Sequence, residues 1–181
     1  MSGRLKITLT LVAGLLFAAS LATAQSGTGT TSVSVTVGAE AALTVTSPTP
    51  LTSVGTNFSN YTGTTTITHF IRTTQSTGSG TLTLKVTTDF SPANGPSVGS
   101  PPTGTDKLAY TCSVTGTGTA CVGSQTAATG SATPVVTYGA DAHTATFPGG
   151  DSATTSWTLT NDPKYKTGTY SATVTFTIAA V

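Results

Sequence analysis

The carboxy-terminal end of the chain carries the pattern that most restricts its fold. Residues 170–178 alternate strictly between apolar and polar side chains. A period of two residues is typical of a β-strand that has one dry face and one wet face. The apolar positions are Tyr170, Ala172, Val174, Phe176 and Ile178. Upstream, Trp157 and Leu159 share one face of another predicted strand, and residues 161–163 turn the chain back towards residue 170.

Shorter versions of the same pattern recur along the chain. They predict strands at 33–37, 43–45, 64–74, 82–86, 108–114, 135–138 and 142–147. Residues 91–105 are rich in Pro, Gly and Ser, which favours a surface loop. A helical period of 3.6 residues is absent beyond the amino terminus. We therefore predict an all-β fold, a two-sheet antiparallel β-sandwich of immunoglobulin-like topology, with Trp157 packed centrally.

The amino terminus has the features of an export signal. Arg4 and Lys6 precede an apolar run at residues 7–21, and small residues at 22 and 24 flank a cleavage position. We predict cleavage after Ala24. The alternative is a retained membrane anchor, but the apolar run is short for a span of about 20 residues. The protein is expected to be secreted, periplasmic or extracellular, and associated with the cell surface, with no membrane attachment after cleavage.

The rest of the chain is predicted to be one domain. Residues 1–24 are the predicted signal peptide, and residues 25–31 contain mostly Gly, Ser and Thr, which predicts a flexible leader. Residues 32–181 are long enough to bury a core and are expected to form a single β-sandwich domain.

Charge is scarce in this sequence. Charged residues make up 7% of the chain, against about 25% in an average protein. Without Arg4 and Lys6, 5 of the 7 basic residues remain against 6 acidic ones, so the exported part has a net charge of −1. Such a surface excludes the basic patch that nucleic-acid binding needs, so no nucleic-acid partner is expected.

The chain has two cysteines, Cys112 and Cys121, and both lie in the part predicted to be exported. An even number of cysteines outside the cytoplasm favours a disulfide. Gly116 and Gly118 lie between them, so we expect the bond to staple a hairpin worth about 2–3 kcal/mol.

The sequence offers little for chemistry. The tightest cluster of ligating side chains is Asp141 with His143, which we interpret as a solvated turn rather than a metal site. His69 lies between two isoleucines in a predicted strand, which favours a tucked side chain over a ligand. We expect no catalytic, cofactor-binding or metal-binding residues, and no enzymatic activity.

Aromatic side chains in predicted loops are the remaining candidates for ligand contact. These are Phe58, Tyr61 and Tyr165. Aromatic faces at the end of a sandwich are able to stack on sugars, which would give a glycan-binding site. The alternative is that the same residues close the hydrophobic core.

The closing segment, residues 152–181, resembles the last strands of several bacterial exported β-sandwich proteins. The likeness is carried by Trp157-Thr158-Leu159, the Asn161-Asp162-Pro163 turn, and Gly168-Thr169-Tyr170 before the last strand. Spore coat protein U-like and fimbrial-subunit-like domains end in a comparable Gly-x-Tyr strand, and WxL-type domains contain a comparable Trp-Thr-Leu before a proline turn. This chain departs from WxL domains in its single Trp, and from fimbrial subunits completed by a neighbour's strand in having a good closing strand. The resemblance implies a bacterial secreted surface or structural protein, without catalytic residues.

Two hypotheses for function follow from these patterns. The first is a non-enzymatic structural or adhesive protein of the cell surface that assembles through its edge strands, with itself or other surface proteins as partners. Uncharged strands leave sheet edges poorly protected against pairing with another chain. The leader is expected to donate a strand through Val33, Val35 and Val37. The second is a small carbohydrate-binding module that uses the loop aromatics, with glycans as partners.

Overall fold

The computed structural model describes residues 27–181, so the predicted signal peptide and its cleavage position lie outside the described part. Residues 27–35 belong to one unit, and Thr36–Val181 form a second unit that contains all the strands. Within residues 27–181 the regular structure is entirely β, and no helix there is long and apolar enough to cross a membrane.

Nine strands form two antiparallel sheets. The strands are β1 (Glu40–Val45), β2 (Tyr61–Arg72), β3 (Gly80–Ser91), β4 (Leu108–Thr115), β5 (Thr119–Ala120), β6 (Gln125–Thr126), β7 (Thr133–Tyr138), β8 (Asp151–Leu159) and β9 (Ser171–Ala180). The five-stranded sheet has the order β1-β2-β8-β4-β6, and the four-stranded sheet has the order β5-β7-β3-β9. The predicted all-β, two-sheet antiparallel sandwich is confirmed.

The core forms where the apolar positions of the long strands face one another. In β2 and β8, alternate residues are buried over most of the length, as expected for a half-buried strand. Register pairs such as Ile67 with Ala153 bring these residues together on one face. Leu82 and Leu84 of β3 approach from the other sheet and are fully buried. Trp157 is 4% exposed, and its ring lies 5.4 Å from that of Tyr110, so the predicted central packing is confirmed.

The disulfide joins the two sheets. Cys112 lies in β4 of the five-stranded sheet, whereas Cys121 directly follows β5 of the four-stranded sheet, and the two are bonded. The chain turns between them at Gly116 and Gly118, which have φ angles of 103° and 107°. A Cβ on Gly118 would lie 2.6 Å from the Val136 side chain, so only glycine fits there. The predicted bond is confirmed, but it staples a corner of the sandwich instead of a hairpin within one sheet.

Two predicted strands do not form. Residues 33–37 have no strand pairing and are exposed throughout. Residues 142–147 make a single bridge, from His143 to Arg72, because the Thr144 hydroxyl and amide both bond to the backbone of Ile71. These contacts cap the end of β2 without extending a strand. In addition, β8 and β9 lie in different sheets, so the loop between them crosses the sandwich and does not close a hairpin.

Candidate functional site: an apolar cleft between β1 and β9

The sandwich is open between its two terminal strands. β1 ends the five-stranded sheet and β9 ends the four-stranded sheet, and among the described residues no strand pairs with the outer edge of either. Beyond the end of β1, and beside the first half of β9, lies a cleft of about 1030 Å³, which we call the edge cleft. It opens at the end where β1 stops at Val45 and where β9 begins, since its walls include Ala172, Val174 and Phe176.

The inner faces of both edge strands are incompletely covered. The inward side chains of β1 and β9 pack on the core, yet each of them is only half-buried. These side chains are Ala41, Leu43, Val45, Val174, Phe176, Ile178 and Ala180. A sandwich edge of this kind leaves apolar area in water, at a cost of about 25 cal/mol per Å². The apolar face that the sequence predicts for β9 is therefore only half-buried within one copy of the chain.

The short length of β1 determines where the opening falls. β1 has 6 residues, whereas its neighbour β2 has 12. Beyond Val45 the edge of β2 is covered by a hydrogen bond from the Thr46 amide to the Thr66 carbonyl and by a bridge between Thr52 and Thr62. The intervening residues 46–51 include Pro48 and Pro50, which have no amide hydrogen for a ladder. They line the cleft as an irregular wall.

The floor of the cleft is held by a hydrogen-bonded chain. The Trp157 indole nitrogen donates to the Thr65 hydroxyl oxygen at 2.8 Å, and that hydroxyl lies 2.7 Å from the Thr49 hydroxyl. Thr65 is 3% exposed, so its hydroxyl is a buried partner for a buried donor. The network links the inner face of β2 and β8 to the irregular wall, which fixes the shape of the floor.

A second wall comes from the loop after β3. The Asp89 carboxylate accepts hydrogen bonds from the Ser97 hydroxyl and from the amides of residues 90, 98 and 99. Burial by itself would raise the pKa of Asp89, but these four donors outweigh it and lower the pKa. Gly95 lies against the Tyr170 ring, where a Cβ would clash. This part of the predicted surface loop is therefore ordered, and Phe90 and Pro96 line the cleft.

The three candidate aromatic residues all line the edge cleft. Phe58 is 61% exposed and has a φ of 56°, whereas Tyr61 begins β2 and Tyr165 lies in the loop between β8 and β9, and both are half-buried. The sequence predicted three scattered loop residues. The structure brings all three to the lining of one cleft, and Tyr61 belongs to a strand.

Two carboxyl groups, those of Asp106 and Asp162, lie close to Tyr165. Thr103 donates its amide hydrogen to Asp106 at 3.1 Å and its hydroxyl hydrogen to Asp162 at 2.7 Å. Burial and the neighbouring Asp162 raise the pKa of Asp106, whereas the Lys164 amide and the Thr103 hydroxyl lower the pKa of Asp162. Burial and both carboxyl groups also raise the pKa of Tyr165. Asp106 and Asp162, both bonded to Thr103, therefore connect the loop that contains Tyr165 to the loop before β4.

The chain before β1 carries exposed apolar side chains at alternate positions. Val33 is 93% exposed, Val35 is 85% exposed and Val37 is 61% exposed. Residues 32–37 have the sequence Ser-Val-Ser-Val-Thr-Val, which we call the valine segment. It has the period of a strand with one apolar face, yet it belongs to no sheet. Exposed valines in this arrangement lack the burial that would stabilise them.

The buried ionisable groups form no constellation of a known catalytic kind. His69 is fully buried, and no described residue makes a hydrogen bond to either of its ring nitrogens. Its ring packs edge-on against Tyr138 at 5.7 Å. Burial lowers the pKa of His69, partly opposed by the nearby Asp151. The Asp151 carboxylate accepts from the Thr117 amide at 3.0 Å and helps to hold the glycine turn.

Within residues 27–181, no three His, Cys, Asp or Glu side chains lie close enough together to hold a metal ion. Asp141 and His143 are both exposed at the turn, with the His143 Nδ1 atom 4.0 Å from the Asp141 carboxylate. Comparison of the chain with family models, with curated proteins and with solved structures finds no match. The edge cleft and the valine segment are therefore the features on which a function has to be argued.

Proposed function

We propose that this chain is a non-enzymatic structural or adhesive protein of the cell surface whose copies assemble by strand insertion. The valine segment of one copy would enter the edge cleft of another and add a strand to it. The observation that carries this proposal is that the sandwich has an incompletely covered apolar edge while the same chain has an exposed segment with the apolar/polar alternation of a strand.

The two parts match in length and chemistry. A strand rises about 3.3 Å per residue, so the valine segment spans about 20 Å, which is shorter than the ten-residue edge of β9. Strand addition would satisfy backbone groups along that edge, and alternate side chains would point into the cleft. The valine segment contains no charged residue, so its insertion would bury no charge.

A peptide with the sequence of residues 30–38 tests this proposal. We expect the protein from Gln25 onward to form oligomers that grow with concentration in light scattering after size exclusion. An excess of the peptide should shorten these oligomers, because it occupies the cleft without offering a cleft of its own. A peptide of the same composition in scrambled order is the control. A strict monomer at high concentration, or equal effects of the two peptides, would count against strand insertion.

A carbohydrate-binding module is the second candidate, and it is favoured by the position of the aromatics. Phe58, Tyr61 and Tyr165 line the same cleft as Asp162, and such a set of side chains is suited to stacking on a sugar and accepting its hydroxyl hydrogens. Binding on a glycan array that is lost in Tyr165→Ala would support this candidate. Binding to no polysaccharide would speak against it.

A further inference from the structure

The valine segment directly precedes β1, so a hairpin back onto β1 would pair it with the free edge of that strand in its own copy. Such self-insertion would compete with assembly. Residues 38 and 39 separate the segment from β1 at Glu40, and two-residue loops are the commonest hairpin connection. Two features of the structure oppose this hairpin, namely the register of the strands and the contacts of Arg72.

Register is the first obstacle to self-insertion. In a hairpin with a two-residue loop, Val37 lies opposite Glu40, Val35 opposite Ala42 and Val33 opposite Thr44. Directly opposite residues of an antiparallel pair share one face. Glu40, Ala42 and Thr44 are the exposed positions of β1, so all three valines would face solvent. A slip of one residue exchanges the two faces of a strand.

A loop of three residues would correct the register. It would place Val37, Val35 and Val33 opposite Ala41, Leu43 and Val45, which are the inward positions of β1. The third loop residue would then be Glu40, which must leave its pairing with Arg72 of β2. The correct hairpin therefore requires that Glu40 be released.

Arg72 holds both ends of that loop. Its Nε atom donates to the Gly38 carbonyl at 2.8 Å, and its Nη2 atom donates to the Glu40 carboxylate at 2.9 Å. The fork of a guanidinium suits two acceptors at once, which a lysine would not provide. These two contacts keep Glu40 in the ladder of β1 and keep Gly38 out of a hairpin turn.

The same contacts direct the chain across the end of β2. Arg72 pairs with Glu40 on one side and bridges to His143 on the other, so β1 and the 141–143 turn lie at opposite edges of β2. Residues 37–39 line a hollow of about 510 Å³ together with residues 72–75, Asp141 and His143. Residues 37–39 thus lie beside Asp141 and His143.

We infer that Arg72 is a positioning residue that prevents the valine segment from pairing with the free edge of β1 in its own copy and so leaves the segment available for the edge cleft of a second copy. This inference rests on the proposed function for its biological meaning. Its physical content, the conformation of the valine segment in a single copy, is measurable without any assembly.

Hydrogen exchange followed by mass spectrometry on dilute monomer tests the inference. In the unaltered protein the amides of residues 33–37 should exchange without protection. In Arg72→Gln the hairpin becomes accessible, and we expect these amides to exchange about tenfold more slowly, because both charged hydrogen bonds of Arg72 that oppose the hairpin are lost. Glu40→Gln, which loses the ion pair but keeps the Gly38 contact, should fall between them. Lys85→Gln is the matched control for the lost charge and should leave the exchange unchanged.

The outcomes separate the two proposals. Protection of residues 33–37 in the unaltered monomer, or no added protection in Arg72→Gln, overturns the role of Arg72. If the unaltered protein never forms oligomers while Arg72→Gln gains protection, strand insertion between copies fails and the inference about Arg72 stands. If the unaltered protein forms oligomers and Arg72→Gln gains protection, Arg72→Gln should also form fewer oligomers than Lys85→Gln at equal concentration. Trp157 fluorescence confirms that each variant is folded.

Discussion

Replacing Val35 with serine should weaken assembly without weakening the single copy. Full burial of an exposed valine contributes about 1.5–3 kcal/mol. Val35 is 85% exposed in the unassembled chain, so its insertion should contribute about 1.3–2.6 kcal/mol. The dissociation constant should therefore rise about ten- to eightyfold in Val35→Ser.

Sedimentation velocity over a range of concentrations measures this change. The triple replacement of Val33, Val35 and Val37 should remove about 4–7 kcal/mol, because their exposures together amount to a little more than two whole valines. At that cost assembly should vanish at any practical concentration. Thermal unfolding of the dilute protein should stay unchanged for Val35→Ser, because this side chain is exposed in one copy.

The matched control is Ser34→Ala, on the opposite face of the valine segment. We expect it to alter the dissociation constant by about twofold at most, as is usual for a surface substitution. The contrast between the two faces is the decisive result. If Ser34→Ala and Val35→Ser weaken assembly equally, the segment does not insert as a strand with one buried face, and the reasoning from its alternation is refuted.

Three further predictions concern the stability of one copy. Replacing both Cys112 and Cys121 with alanine should lower the free energy of unfolding by about 2.7 kcal/mol in urea titrations, from the entropy of a loop of about ten residues; an unchanged midpoint would contradict this. Burial lowers the pKa of His69 below its usual 6.5. The contribution of the neutral His69 side chain to the free energy of unfolding is therefore present above pH 6.5 and lost as pH falls through the folded-state pKa. Urea titrations from pH 8 to pH 5 should show this loss, and it should disappear in His69→Leu. Thr65→Val leaves the Trp157 indole N–H without its partner and should cost about 1–3 kcal/mol, measured by tryptophan fluorescence; a cost near zero would mean that the bond contributes little.

Much of the sandwich could be predicted from local periodicity, because a half-buried strand alternates apolar and polar side chains along the sequence. The alternation around Leu82, Leu108 and Trp157 correctly predicted β3, β4 and β8. The pairing of β8 and β9 was predicted wrongly. A period of two tells which side chains share a face, but not which sheet a strand joins.

The candidate site was predictable only in part. Exposed aromatic residues were identified, but their convergence on one cleft depends on how β2 begins and how the loop after β8 crosses the sandwich. The wall at Pro48 and Pro50 had a local signal, since two prolines exclude a regular strand. The valine segment was predicted to be a strand because its pattern is that of a strand. What the pattern does not state is whether the partner strand belongs to the same copy, and in the structure of one copy no partner is present among residues 27–181.

The positions of the valine segment and the edge cleft along the chain have a consequence for the shape of any assembly. The chain enters β1 at Glu40, where Arg72 holds it, whereas the cleft opens beyond Val45 at the other end of that strand. A contact that joins two different surfaces repeats head to tail, and it gives an open fibre where the rotation between successive copies does not close a ring. Such a fibre would be directional. One tip would carry an empty edge cleft and the opposite tip a free valine segment, so a protein that covered one tip would stop addition at that tip alone.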